Sequence, residues 1–122
     1  MTRERKPRFV LRLHRELRDC LDREAMRQGI RTATLAARLL ESEAARGPRE
    51  DYRLHPMLAV YTPTRNSNSP SAGRQMSIFV SPACREFIEA LAASSGYRVR
   101  SVVPGMLLNT PACAALTRIE RG

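Results

Sequence analysis

The 122-residue sequence has no tryptophan, and only three tyrosines and three phenylalanines. A core built from it must be aliphatic, filled out with alanine. Histidine occurs twice, as His14 and His55, and neither belongs to a metal-spaced cluster. Cys20, Cys84 and Cys113 make an odd number without ligand spacing. They read as small buried hydrophobes in a reducing cytoplasm, with Cys20 and Cys84 on the inward faces of helices. No glycine loop precedes a helix in the manner of a P-loop. No apolar run is long enough to span a bilayer, and no signal-peptide core lies near Met1. These absences leave an expectation of no catalytic residue, no metal, no cofactor and no membrane partner.

Acidic residues are also in short supply. There are 12 against 21 basic ones, a formal charge of +9, and nearly all of the basic residues are arginine. A small domain this basic usually meets a polyanion. The charge is concentrated at the start. Residues 1–18 carry Arg3, Arg5, Lys6, Arg8, Arg12, Arg15 and Arg18 against Glu4 and Glu16, a net +5.

Within that stretch, PRFVLRLHREL (Pro7 to Leu17) alternates. Phe9, Leu11 and Leu13 are apolar, and Arg8 and Arg12 stand between them. Period two is the mark of a strand with one buried face. At Leu17, Cys20, Leu21 and Ala25 the period becomes helical. The helix begins at His14 or Arg15 and ends at Gly29. A second helix, with Thr32 as N-cap and an apolar stripe of Leu35, Ala36, Leu39 and Leu40, runs to about Ala45. Gly47-Pro48 stop it.

Residues 47–74 are a connector, flexible over NSNSPSAG (66–73). Its HPMLAVYTP segment is apolar enough to lie against the body. Pro56 and Pro63 bracket it, so an extended piece is expected, not a regular helix.

The first pattern then returns. QMSIFVSPACREFIEALAASSG (Gln75 to Gly96) lies on RFVLRLHRELRDCLDREAMRQG (Arg8 to Gly29) without a gap, at a constant offset of 67. Met76, Ile78 and Val80 fall on Phe9, Leu11 and Leu13. Cys84, Phe87, Ile88 and Ala92 fall on Leu17, Cys20, Leu21 and Ala25, and Gly96 falls on Gly29. The second helix of this copy holds Pro104-Gly105. Either it starts late, with Ser101 as N-cap and Pro104 in the first turn, or it is kinked. Thr110-Pro111 reads as the cap and first position of a last helix, Ala112 to about Glu120. The expected units are residues 1–46, 47–74 and 75–122.

A lone strand followed by two helices cannot satisfy its own edges, but two copies can. Antiparallel pairing turns Phe9, Leu11, Leu13, Met76, Ile78 and Val80 toward the helices. The outer face of the ribbon then carries Arg8, Val10 and Arg12 from one strand and Gln75, Ser77 and Phe79 from the other. A two-stranded ribbon fits the major groove of B-DNA. There arginine pairs with guanine, glutamine with adenine, and Val10 and Phe79 meet thymine methyls.

With these residues, the chain resembles the ribbon-helix-helix DNA-binding proteins, the fold of the Arc and MetJ repressors. The resemblance covers about 40 residues of the first copy and a looser 35 or so of the second. It implies an α+β, mostly α fold in which two ribbon-helix-helix repeats form an intramolecular pseudo-dimer around a two-stranded antiparallel ribbon. It also implies that ribbon-face residues read bases and that the start of each second helix holds a phosphate. Those starts are Arg31, Thr32 and Ala33 in the first copy and Arg98, Val99 and Arg100 in the second. The basic arm with Arg3, Arg5 and Lys6 adds phosphate contacts. Two copies on one chain resemble, more narrowly, the tandem proteins of bacterial conjugation and T-DNA transfer, relaxosome accessory factors that assist a separate relaxase. That resemblance implies a bacterial cytoplasmic monomer acting as a pseudo-dimer, with double-stranded DNA and a relaxase or other transfer protein as partners.

Three other readings stay open. The chain is a repressor or antitoxin of the same class. It is a protein-interaction module that has lost DNA binding. Or Arg8 and Arg12 are merely solvated charges blunting a sheet. Phe79 is either a base-contacting residue or a residue covered by HPMLAVY.

Overall fold

The computed structural model describes residues 8–62 and 72–117. Strand β1 (Arg8–His14) leads directly into helix α1 (Arg15–Gln28), followed by α2 (Thr32–Ala44). A 3-10 turn (Arg49–Asp51) and a one-turn helix α3 (Leu58–Tyr61) follow. Strand β2 (Ala72–Phe79) then precedes α4 (Pro82–Ser95), α5 (Val99–Leu107), a second 3-10 turn (Pro111–Cys113) and α6 (Ala114–Thr117). The molecule is α+β and mostly helical, with one two-stranded antiparallel sheet.

Each strand turns into its helix through a side-chain cap. The N–H of Glu16 donates to His14 Nδ1 at 3.1 Å, and that of Cys84 to Ser81 Oγ at 3.1 Å. Such caps are worth about 0.5–2 kcal/mol. The helices that follow the strands, α1 and α4, each end on a left-handed glycine, Gly29 at φ 72° and Gly96 at φ 81°. Only glycine takes that conformation without strain.

The inner face of the sheet is the roof of the core. Phe9, Leu11, Leu13, Met76, Ile78 and Val80 are all buried, as the alternation predicts. Beneath them Leu17, Leu21, Leu35, Leu40, Ile88, Val102, Val103 and Met106 close a single apolar cluster. The helices cross over. α2 packs on β2 as well as on α1 and α4, and α5 packs on β1 as well as on α4. Neither half therefore has a core of its own among the described residues.

The connector contributes to this core. HPMLAVYTP is not extended throughout, because Leu58–Tyr61 forms one helical turn between the prolines. His55 Nδ1 accepts from the Met57 N–H at 3.1 Å, and Thr62 Oγ1 closes the turn on the Leu58 carbonyl at 2.6 Å. Leu58 and Tyr61 are driven inward. Further tethering comes from polar groups. Glu43, only 4% exposed, accepts from the Tyr52 hydroxyl at 2.7 Å and from Arg46. Asn109 donates to Tyr52 Oη at 3.1 Å and to the Arg53 carbonyl at 2.8 Å.

Four sequence expectations need correction. Arg31, not Thr32, is the N-cap of α2; Thr32 is the first helical residue, and its hydroxyl donates to Asp22 of α1 instead. β2 begins at Ala72, inside the segment read as flexible linker. There Ala72 pairs with His14, while Gln75 pairs with Arg12, so β2 carries one extra residue at a bulge. Of the two alternatives for α5, the late start with Ser101 as N-cap fails: the helix starts at Val99 and holds Pro104 in its interior. Gly105 lets the connector close on this helix. A Cβ there would lie 3.0 Å from Leu54 and 3.1 Å from Leu58, and the Gly105 carbonyl accepts the His55 N–H at 3.1 Å. Last, Thr110 is a cap and Pro111 a first position as expected, but of a 3-10 turn; α6 starts only at Ala114, not Ala112, and the Thr110 hydroxyl donates to the Leu107 carbonyl at 2.6 Å. The rest of the linker, 63–71, and residues 118–122 lie outside the described residues.

Candidate nucleic-acid interface

The side of the sheet away from the core is set by strand parity alone. β1 reads exposed, buried, exposed along Arg8 to Leu13. The register then pairs Arg8 with Phe79, Val10 with Ser77 and Arg12 with Gln75. All six residues expected on the outer face stand there in three cross-strand rows. Arg8, Val10, Arg12, Gln75 and Phe79 are exposed and Ser77 is half-buried. None of the six is acidic. Phe79 is 51% exposed, so the connector segment does not cover it.

The start of α2 lies beside this face. Its helical ladder opens with the Leu35 N–H donating to the Arg31 carbonyl at 3.0 Å, so the N–H groups of Thr32, Ala33 and Thr34 lie ahead of it. No side chain caps this end, and the first turn holds no acid. Backbone N–H groups and the helix dipole give such an end a partial positive charge. Arg31 is exposed beside it. α5 starts in the same way. Its ladder opens at Ser101, which donates to the Arg98 carbonyl at 2.8 Å, without a side-chain cap or an acid in the first turn. Arg98 is exposed, and Val99 and Arg100 are half-buried.

A recess of about 520 Å³ joins the ribbon to α2. Phe79 forms one wall, Ala33 and Ala37 supply apolar lining, and Arg31, Thr34, Arg38 and Glu41 complete it. The structure thus brings Arg31 and Ala33 to the same recess as a ribbon residue. Thr34 and Arg38 were not singled out from sequence. Their signal was there, since positions 31, 34 and 38 follow helical spacing on the polar side of the α2 stripe. Among the described residues Glu41 is the one acid lining the recess, and its carboxylate is already engaged: Oε2 accepts the Ser81 N–H at 2.6 Å and Oε1 the Ser81 hydroxyl at 2.8 Å. This contact also ties α2 to the cap of α4. Arg3, Arg5 and Lys6, expected to contact phosphates, lie outside the described residues.

The cysteines and histidines have structural surroundings. Burial pushes the Cys84 and Cys113 thiols up to about 12, with the Glu41 carboxylate adding to the shift at Cys84. At neutral pH both are protonated and weak nucleophiles. His14 and His55 serve as local caps, and His14 also meets the Tyr61 ring edge-on at 5.2 Å between centroids. Among the described residues, no group of three or more His, Cys, Asp and Glu is arranged to hold a metal, and no helix is long and apolar enough to cross a membrane. Comparisons with protein-family models, with curated proteins and with solved structures find no match to this chain.

Proposed function

We propose that the chain is a double-stranded DNA-binding protein in which two strand-helix-helix repeats form a pseudo-dimer that lays its ribbon in the major groove. The observation that carries this reading is the register. It sets Arg8 opposite Phe79, Val10 opposite Ser77 and Arg12 opposite Gln75, six residues none of which is acidic, beside a helix start with no side-chain cap. Arginine donates two bonds to guanine O6 and N7, glutamine pairs with adenine, and each good bidentate pair discriminates by about 1–3 kcal/mol. The α2 start, with Arg31, and the α5 start, with Arg98 and Arg100, are suited to gripping a phosphate on either flank. The protein performs no reaction; it positions, reads and bends.

The double variant Arg8→Ala/Arg12→Ala tests this. Both side chains are exposed, so the fold should survive, as judged by circular dichroism. Affinity for the preferred duplex should fall at least thirtyfold, the equivalent of about 2 kcal/mol or more. Wild-type affinity should also drop steeply with salt. Unchanged affinity in the variant overturns the ribbon-face reading.

We place the protein as an accessory factor in bacterial DNA transfer or plasmid processing, working beside a relaxase. The second repeat stands where an antitoxin of this class has a toxin-wrapping tail, which favours transfer over that role. Stimulated nicking at a cognate origin supports the placement; repression of a neighbouring promoter without stimulation supports a repressor. One observation favours an interaction module instead: Phe79, Val10 and the apolar lining of the recess form an exposed patch. Salt-insensitive binding to a protein, with none to DNA, would mark that role.

A further inference from the structure

We propose that Phe79 reads the C5-methyl group of a pyrimidine, so that the protein binds thymine or 5-methylcytosine at one position in preference to uracil or unmethylated cytosine. The inference rests on the DNA-binding reading above and specifies its ligand.

The argument begins with what Phe79 lacks. It stands in the outer row of the ribbon, 51% exposed, opposite Arg8. Its ring has no group able to hydrogen-bond a base edge. In the major groove the base pairs offer acceptors, amino donors and one apolar group, the methyl on C5 of thymine. A phenylalanine in a base-reading position therefore has one complement on a base edge. 5-Methylcytosine presents the same methyl at the same carbon.

The surroundings favour this occupant. Val10, 44% exposed, pairs with Ser77, one row in from Phe79. It is the diagonal neighbour of Phe79 across the ribbon and extends the apolar surface along the groove floor. Behind the ring, Ala33 and Ala37 line the recess at the α2 start, with Arg31 and Arg38 beside them. An apolar wall flanked by two guanidinium groups suits a base methyl next to a backbone phosphate. The one acid there, Glu41, is bonded to Ser81 through both oxygens. In the other strand the position matched to Phe79 by the offset of 67 is Arg12. One half of the ribbon therefore reads a methyl where the other reads a hydrogen-bonding edge, and the preferred site departs from a palindrome at that pair of positions.

The test uses the full chain and a duplex selected with it from a random-sequence pool. Each thymine is replaced in turn by deoxyuridine, which removes only the methyl. At one position the dissociation constant should rise about fourfold, the value of one buried methyl-sized group. A C·G pair placed there should bind more tightly when its cytosine is 5-methylated, by a similar factor. In Phe79→Ala, with its fold verified by circular dichroism, thymine and uracil duplexes should bind alike. The proposal is overturned if no thymine responds to loss of its methyl, or if the response persists in Phe79→Ala; salt-dependent DNA binding would then still stand. If the pool yields no bound duplex at all, the DNA-binding reading fails and this inference with it.

Discussion

The two strand-helix-helix halves share element order, glycine stops and an inward strand face, yet their second helices live in different surroundings. α2 is amphipathic: Leu35, Ala36 and Leu40 are buried while Thr34 and Arg38 are exposed. α5 has no exposed residue from Val102 to Leu108. The connector makes the difference. It lays Leu54 and Leu58 over Gly105 of α5, while the matching position in α2 is Arg38, which lines an open recess. The same strand-helix-helix order thus holds one second helix that faces solvent beside the ribbon and one that is enclosed. The composition follows: α2 keeps polar side chains, and α5 runs Val-Val-Pro-Gly-Met-Leu-Leu.

Substitutions at matched positions can break this contrast. The largest effect is expected from Leu58→Ala, which opens a cavity between connector and α5. Thermal or urea unfolding should register a loss of about 2–5 kcal/mol; a loss near zero would mean that the connector does not belong to the core. Gly105→Val comes next. A branched side chain meets Leu54 and Leu58 at once, and the expected cost is about 1–3 kcal/mol. Arg38→Ala, at the matching site of α2, should stay within about 0.5 kcal/mol. Equal costs at the two sites would abolish the distinction between enclosed and open helix. A separate pair of matched positions sharpens the comparison at the strand exits. Ser81→Ala removes a cap and the hydroxyl bond to Glu41, leaving the backbone N–H bond, and should cost about 1–2 kcal/mol. His14→Ala, the matched cap, loses a single bond and an edge-on ring contact, and should cost less in the same unfolding measurement.

The features legible in the sequence are those that depend on local period. Phe9, Leu11 and Leu13 against Arg8 and Arg12 mark the two faces of a strand wherever that strand lies. The return of the pattern at Met76, Ile78 and Val80 marks its mate. Gly29 and Gly96 mark helix ends because the left-handed cap demands glycine. The misread features depend on partners distant in sequence. Thr32 looks like a cap until Asp22 takes its hydroxyl. Pro104-Gly105 leaves a late start and an interrupted helix equally open, and only the packing of Leu54 and Leu58 on Gly105, with the His55 N–H on its carbonyl, shows what the glycine is for. The segment between Pro56 and Pro63 looks extended until the fold offers buried places to Leu58 and Tyr61. At the candidate interface the six ribbon residues follow from parity. Thr34, Arg38 and the recess they share with Phe79 required the α2-to-β2 packing.

Joining both strands in one polypeptide has a kinetic and a dosage consequence. Where two separate chains must meet to build a ribbon, its abundance follows the square of their concentration and fades when copies are few. Here β1 and β2 find each other by closing a loop, a first-order event whose extent is independent of dilution. A cell holding a handful of molecules holds the same number of finished ribbons.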